Sequence, residues 1–328
     1  MNLQTSNLEE AILCDIRGGA PVSLESALLV LSGLTTDAEI RSYQHKIDSI
    51  FTRFANKCDS SVLARQPKPP LYWHRTIAQT LFEYLWNSKP KRFGEYFLLT
   101  DVVDAQLNPD VHSVVGNCVG LTSLYSVLGL RAGLNLTLLV ASDHLLSRLR
   151  IGQQTIDIDH TDPQGFDCRN CDDFSEFPLI TLTANVLNSR GLRNQASSQM
   201  AAAKTDYNKA ILVNPEYANA FNNRGNIRFV DGDLAGAIAD YTEAIRLSPN
   251  FCEAYCNRGI AKHRLGRYDE AHRDYRLAMS INADYADARA CLQALDDIED
   301  PKPPAGKNSC TGFDDSHPTA SLPSRVDI

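Results

Sequence analysis

A 34-residue repeat in the C-terminal half is the feature that most constrains how this chain can fold. The segments ANVLNSRG, ANAFNNRG and CEAYCNRG begin at Ala184, Ala218 and Cys252. Each is followed, at fixed distances, by an alanine, a tyrosine and a second alanine, and the first two units end in proline. Self-similarity at a period of this length is typical of solenoids, in which each unit packs only on its neighbours.

The residue types of the repeat predict pairs of antiparallel helices. Glycine and alanine let two helices approach closely, the tyrosines fill the gaps between units, and the proline starts the next helix after a turn. The period and the pattern resemble tetratricopeptide repeats. We therefore predict an all-α solenoid of three repeats over residues 184–298, with Tyr285–Leu295 as a terminal capping helix.

Asparagines recur on the predicted first helix of each repeat. In repeats of this kind that face lines a concave groove, and an amide can both donate and accept hydrogen bonds to an extended peptide backbone. The alternative is a solvated surface with structural capping. The predicted site for a protein or peptide partner consists of Asn185, Asn188, Asn219, Asn222 and Asn226.

Composition and charge narrow the classes of partner. The chain has 328 residues and a formal net charge of −8, which argues against nucleic acid or an anionic membrane as the main partner. The longest apolar stretch, Val119–Val140, contains Arg131 and Asn135 and is not expected to span a membrane. Nine scattered cysteines without a signal peptide indicate free thiols and a reducing, cytoplasmic location.

The N-terminal region and the C-terminal end of the chain differ in composition and in the periodicity of their apolar residues. Residues 1–115 show amphipathic helical spacing, with Ser23 as a helix N-cap, and no catalytic constellation. Residues 299–328 are rich in proline, serine, glycine and aspartate, which predicts a disordered tail.

Between these regions, residues 116–165 predict one helix followed by three strands. The segment GNCVGLTSLYSVLGLR has helical spacing from Cys118 to Arg131. Residues 135–142, 144–151 and 154–160 are β-like, and the last alternates cleanly. A tight hairpin is expected at Gly152.

The predicted hairpin brings a histidine and a carboxylate together. If the chain turns at Ile151 and Gly152, His144 lies directly opposite Asp159 on one face of the ladder. A histidine oriented by a carboxylate can activate a nucleophile, and Cys118 stands at a helix start, where the helix dipole and a nearby imidazolium favour the thiolate. Asp157 is the alternative acid, with an exposed cross-strand ion pair as its other possible role.

The order of these residues resembles the transglutaminase-like (papain-like cysteine) domain, in particular in bacterial proteins where such a domain precedes tetratricopeptide repeats. The resemblance rests on GNCVGLTSLYSVLGLRAGL, DHLLSRL and TIDIDHTDPQG. It implies an α+β domain over residues 1–183, with Cys118 as nucleophile, His144 as general base and Asp159 as orienting carboxylate. It also implies cysteine-dependent acyl transfer without a cofactor, as a protease or amidase, or as a transglutaminase-like acyltransferase.

Two alternatives stay open at this stage. Cys168 and Cys171 form a CxxC pair, which could be half of a zinc site or a redox pair. A zinc site needs four ligands and no second pair exists in the chain, and a redox pair would need a strand-to-helix context rather than a polar loop. The spacing is therefore interpreted as coincidence, and no metal site is predicted. The second alternative is a catalytically inactive transglutaminase-like scaffold, in which the repeats act as a protein–protein interaction module.

Overall fold

The computed structural model describes residues 3–58, 71–88, 98–108, 116–141, 144–168 and 174–299. Its contacts divide the chain into two compact units, Met1–Pro215 and Glu216–Ile328. The repeat pattern alone placed a boundary between residues 183 and 184. In the structure the first helix pair of the repeat pattern groups with the residues before it. One reason is that Arg190 donates to Glu9 of the first helix over 2.7 Å.

The described residues before Gly116 are mainly helical, in line with the sequence. Ser23 accepts a hydrogen bond from the Ser26 amide, and Thr36 and Glu39 form a reciprocal capping box at the start of the third helix. The helices of this region are α1 (Leu3–Gly18), α2 (Leu24–Leu31), α3 (Asp37–Lys57), α4 (Leu71–Ser88) and α5 (Leu99–Leu107).

Helix α6 (Cys118–Arg131) is the central helix of this unit. Its residues from Val119 to Gly129 are all buried, because apolar and small side chains occur on every side of the helix. The Tyr125 hydroxyl donates to the Ala78 carbonyl of α4 over 3.0 Å. This packing gives Cys118, at the first turn of α6, a fixed position.

The three predicted strands form, and a fourth joins them in an antiparallel sheet of order β3-β2-β1-β4. The strands are β1 (Leu136–Val140), β2 (Leu145–Ile151), β3 (Gln154–Ile158) and β4 (Ser175–Phe177). The sequence did not predict β4, which has only three residues and no alternating pattern of useful length.

The predicted register of the β2–β3 hairpin is wrong by two residues. Ile151 pairs with Gln154 and Ser147 with Ile158, so continuing the ladder would place Thr161, not Asp159, opposite His144. The turn consists of Gly152 and Gln153, and Gly152 has φ 61°, a left-handed conformation that glycine adopts without strain. The turn therefore lies one residue later than the sequence analysis placed it.

The repeat pattern forms the predicted antiparallel helix pairs. In the first unit, α7 (Leu182–Ala196) packs on α8 (Met200–Val213) after a short 3-10 turn, Leu179–Thr181. In the second unit, successive helices pack as α9 with α10 and α11 with α12, and α13 covers the last pair as the predicted capping helix. Their bounds are α9 (Ala218–Val230), α10 (Leu234–Leu247), α11 (Cys252–Arg264), α12 (Tyr268–Ile281) and α13 (Ala286–Glu299).

Each repeat tyrosine packs against the glycine of its own helix pair. A Cβ atom added to Gly225 would lie 2.6 Å from Cε1 of Tyr241, and Gly191 and Gly259 have the same relation to Tyr207 and Tyr275. Tyr241 also clusters with Ala261 of the following pair, as the sequence predicted. The ring therefore fills space within a repeat as well as between repeats.

A buried ion pair recurs at the same period and was not singled out from the sequence. Asp206, Asp240 and Asp274 are 4%, 3% and 2% exposed and pair with Arg190, Arg224 and Arg258 at 2.5, 2.6 and 2.7 Å. A second donor four residues after each arginine also reaches the carboxylate, at 2.8, 2.9 and 2.8 Å: Asn194, Arg228 and Lys262.

In the part of the chain that the structure describes, no helix is long and apolar enough to cross a membrane. The predicted disordered tail, residues 299–328, lies outside the described residues except for Glu299.

Candidate functional site

Cys118 is the first residue of α6 and is partly exposed. The side chain of Asn117 caps the helix, because its Oδ1 atom accepts a hydrogen bond from the Gly120 amide over 2.9 Å. The first turn holds no acidic side chain, so the positive end of the helix dipole is not offset there. The thiol therefore lies at the positive end of a helix dipole that no side chain of the first turn neutralises.

His144 and Asp159 meet just beyond the ends of β2 and β3. His144 Nε2 donates to Asp159 Oδ2 over 2.9 Å, and both side chains are about a quarter exposed. The backbone at His144 is fixed by its carbonyl, which accepts from the Ala141 amide over 2.8 Å. The two residues are diagonal rather than directly opposite, which long side chains can still bridge. The pairing was thus anticipated, although from the wrong register.

Asp159 is held on both sides of its carboxylate. Oδ1 accepts hydrogen bonds from the amide and the hydroxyl of Thr161 over 2.8 and 2.6 Å, which leaves Oδ2 for His144. The main chain approaches so closely that a Cβ atom at Gly165 would lie 2.2 Å from the Asp159 carbonyl oxygen. Burial by itself would raise the pKa of Asp159, but the hydrogen bonds from His144 and Thr161 lower it to about 2.

His144 interacts with both of the other predicted site residues. The hydrogen bond to Asp159, together with a side-chain contact to Cys118, raises the pKa of His144 to about 10, although burial acts in the opposite direction. Since Nε2 faces the carboxylate, Nδ1 is the nitrogen left for the sulfur. The ring of Phe174 lies edge-on at 6.4 Å between centroids. At neutral pH this geometry holds an imidazolium between a carboxylate and a thiol.

The alternative acid, Asp157, has a different partner. Its two carboxylate oxygens accept from Arg148 over 2.6 and 2.8 Å, and Arg148 also reaches Glu176 at 3.1 Å. Asp157 is therefore part of an ion-pair network on the sheet; it makes the cross-strand pair of its alternative role, but it is half-buried rather than exposed.

His160 is a buried residue next to the site, and its structural role was not predicted from the sequence. It is 2% exposed, its Nε2 atom lies 2.9 Å from the Ser147 hydroxyl, and its ring lies 4.3 Å from that of Tyr125. It thereby ties the end of β3 to β2 and α6. No local sequence signal distinguishes such a histidine from one that faces solvent.

The predicted groove asparagines are only partly accessible. Asn185, Asn188 and Asn222 are 3%, 5% and 3% exposed, whereas Asn219 and Asn226 are half-buried. In the second unit, Asn257 Nδ2 donates to Asn222 Oδ1 and Asn226 Oδ1 over 3.1 and 3.2 Å. These amides thus connect neighbouring repeats, and their role in peptide binding stays a prediction.

Only the first cysteine of the CxxC pair lies in the part of the chain that the structure describes. Cys168 is partly exposed and its amide donates to the Asp157 carbonyl over 3.0 Å, while Cys171 lies outside the described residues. Within the described segments, no three histidine, cysteine, aspartate or glutamate side chains come close enough together to hold a metal ion.

Comparison with known proteins identifies the repeats. A family model described as "TPR repeat" matches residues 225–266, and one described as "Tetratricopeptide repeat" matches residues 253–295. Residues 225–295 therefore form tetratricopeptide repeats, a class of module that mediates protein–protein interaction. This part of the chain is accordingly assigned a protein or peptide partner.

Several solved structures align with about a third of the chain. The first TPR of Spaghetti (RPAP3) bound to the HSP90 peptide SRMEEVD is 24% identical with a TM-score of 0.35, and covers 35% of this chain and 92% of its own. The Arabidopsis OM64 TPR domain is 26% identical, with a TM-score of 0.34 and coverage of 35% and 95%. MamA is 20% identical, with a TM-score of 0.34 and coverage of 35% and 68%. No curated protein matches the chain.

Proposed function

We propose that Cys118, His144 and Asp159 form a cysteine-dependent acyl-transfer site in a transglutaminase-like domain, and that the repeats recruit the protein partner. The observation that carries the proposal is the position of His144, which contacts the thiol of Cys118 and donates to the carboxylate of Asp159. A nucleophile, a base and a group that orients the base are the parts that covalent acyl transfer requires.

The chemistry follows from these three side chains. The Cys118 thiolate attacks an amide carbonyl carbon, and the amine leaves with a proton donated by the His144 imidazolium. The resulting thioester is then attacked by water, whose proton returns to His144, and a carboxylic acid and the free thiolate are released. The backbone N–H of Cys118, at a helix N-terminus, is a candidate donor to the oxyanion. No cofactor is required.

We favour hydrolysis over transamidation as the second half-reaction. Water needs no binding site of its own, whereas an amine acceptor does. A protein partner held by the repeats would present either the amide substrate or, in the transamidation case, the acceptor amine. Incubation of the acylated protein with and without a primary amine separates the two outcomes by the mass of the product.

The decisive test is the alkylation rate of Cys118 as a function of pH in wild type and His144→Ala. At pH 6 the wild-type thiol should react roughly tenfold faster than a simple thiol, because a thiolate–imidazolium pair keeps the nucleophilic form populated. His144→Ala should remove that advantage. Exposed Cys14 serves as the internal reference. A Cys118 that reacts like Cys14 and is indifferent to His144 would overturn the proposal.

A second candidate function is that of a non-catalytic interaction protein, in which the N-terminal unit is only a scaffold. It is favoured by the family matches, which lie within the repeats alone. It predicts that Cys118→Ala leaves both partner capture and every downstream effect unchanged. It also predicts that residues 216–299, most of the second compact unit, retain at least part of the partner binding of the full chain.

A further inference from the structure

Two buried cysteines of the second unit occupy repeat positions at which side chains from successive first helices meet. Cys256 lies on α11 and Cys291 on α13, and they are 1% and 2% exposed within one apolar cluster that also holds Ala271, Tyr275 and Ala288. The structure has both as free thiols. Neither residue takes part in the proposed acyl-transfer site.

The preceding repeat shows that side chains at these two positions meet. Asn257 Nδ2 donates to Asn222 Oδ1 over 3.1 Å, and these residues are 35 apart in sequence on successive first helices. One repeat later the equivalent positions are Cys256 and Cys291, which are also 35 apart. Helix α13 keeps the repeat register, because Ala220, Ala254 and Ala288 recur at the 34-residue period and are all fully buried.

The thiols themselves interact. The side-chain contact between them raises the pKa of Cys256 and lowers the pKa of Cys291, so that Cys256 acts as the donor and Cys291 as the acceptor. Cys291 is thus the sulfur that ionises first, and the thiolate is the form that reacts with oxidants. Cys252 lies against the same cluster from one turn away on α11.

We propose that Cys256 and Cys291 are a redox site of the repeats, at which oxidation by a peroxide forms a disulfide that joins the capping helix α13 to α11. The Cys291 thiolate attacks one peroxide oxygen, which breaks the O–O bond, releases one molecule of water and leaves a sulfenic acid. The Cys256 thiol then attacks that sulfur, which forms the S–S bond and releases a second water. Two thiols and one hydrogen peroxide become one disulfide and two waters.

Because both sulfurs are buried, access of the peroxide limits the rate of oxidation. A peroxide reaches Cys291 only when α13 separates transiently from α11, so oxidation should be slower than at exposed Cys14 and should accelerate in mild denaturant. Once formed, the disulfide closes a loop of 35 residues and should raise the thermal midpoint of the repeat unit by about 5 °C or more.

The test treats the full-length protein with hydrogen peroxide and maps its disulfides by mass spectrometry of a non-reduced digest. The expected product is a peptide pair linked through Cys256 and Cys291, which dithiothreitol reverses together with the rise in the thermal midpoint. Cys252→Ser should form the same link. The double variant C256N/C291N restores the residue pair of the preceding repeat, so it should fold but show neither the link nor the thermal shift.

The proposal is overturned if wild type forms no such link when peroxide treatment is continued well beyond complete oxidation of Cys14, both without and with mild denaturant. It is also overturned if the link joins Cys252 to Cys291, or if C256N/C291N shows the same peroxide-dependent thermal shift as wild type.

Discussion

His144 Nε2 lies 2.9 Å from Asp159 Oδ2, although the two residues are not opposite each other in the β-ladder. The contact depends on the way Thr161 and Gly165 fix the chain after β3. Asp159→Asn should therefore slow alkylation of Cys118 at pH 6 by roughly tenfold, because the loss of the negative charge lowers the pKa of His144.

Asp157→Asn is the matched control for that experiment. It removes the same charge two residues away, but from a carboxylate whose partner is Arg148. Alkylation of Cys118 should be unchanged in this variant. Equal losses of reactivity in both variants would show that the effect is a general one of charge near the sheet.

The His144–Asp159 pair should also make stability depend on pH in a defined window. Folding raises the pKa of His144 from 6.5 to about 10, so its contribution is fully present below pH 6.5 and is lost as the pH rises through 10. The thermal midpoints of wild type and His144→Gln should therefore differ most near pH 6 and converge toward pH 10. A difference that is constant over this range would contradict the charged pair.

The contribution of Asp159 to stability depends on pH in the opposite direction to that of His144. Its pKa is lowered from 3.8 to about 2 on folding, so its contribution is present above pH 3.8 and is lost as the pH falls through 2. The Asp159→Asn variant should lose less stability than wild type between pH 4 and pH 2, as measured by thermal unfolding. Parallel curves for the two proteins over this range would argue that the carboxylate is not paired in the folded state.

Gly225→Ala should destabilise the second unit by about 1–3 kcal/mol, because the new methyl group would overlap the rigid ring of Tyr241. Without that overlap the substitution should stabilise the helix, because alanine is the better helix former by about 1 kcal/mol. The sign of the change in unfolding free energy therefore distinguishes the two cases. Gly18→Ala is the control: Gly18 ends α1 and its Cβ would meet no atom within 4 Å. Urea unfolding of each variant gives both values.

Asp240→Ala should be among the most damaging substitutions in the repeats. Asp240 is 3% exposed and accepts from Arg224 and Arg228, so its removal takes a buried carboxylate away from two guanidinium groups at a cost of roughly 3–5 kcal/mol. Glu243→Ala, which removes an exposed pair with Arg246 on the same helix, should change the urea midpoint little. Similar losses for the two variants would refute the distinction between buried and exposed pairs.

The sequence predicted those parts of the fold that repeat or alternate. The 34-residue period predicted the helix pairs, and three short β-like runs, of which only the last alternates cleanly, predicted β1, β2 and β3. The hairpin register was wrong because a glycine at positive φ moved the turn by one residue, which shifts the pairing by two. Short β4 gave no periodic signal at all.

The parts of the site that the sequence missed depend on contacts between distant side chains. Burial of His160 against Tyr125 and Ser147 cannot be deduced from spacing, since it requires α6 to pack on the sheet. The arginines and aspartates of the buried ion pairs recur in the sequence at the 34-residue period. Their burial, which makes them important for stability, becomes evident only when the two helices of each pair are placed side by side.

The hydrogen bonds of Glu9 have a consequence for the order of folding. Glu9 meets Arg190 and Lys209, which are 181 and 200 residues further along the chain. The ion pairs of the second unit join residues only 16 apart. Because loop closure over long separations slows folding, α9–α13 can form soon after synthesis by local steps. The first unit, by contrast, reaches its native topology only when segments that are 181 and 200 residues apart in sequence have come together.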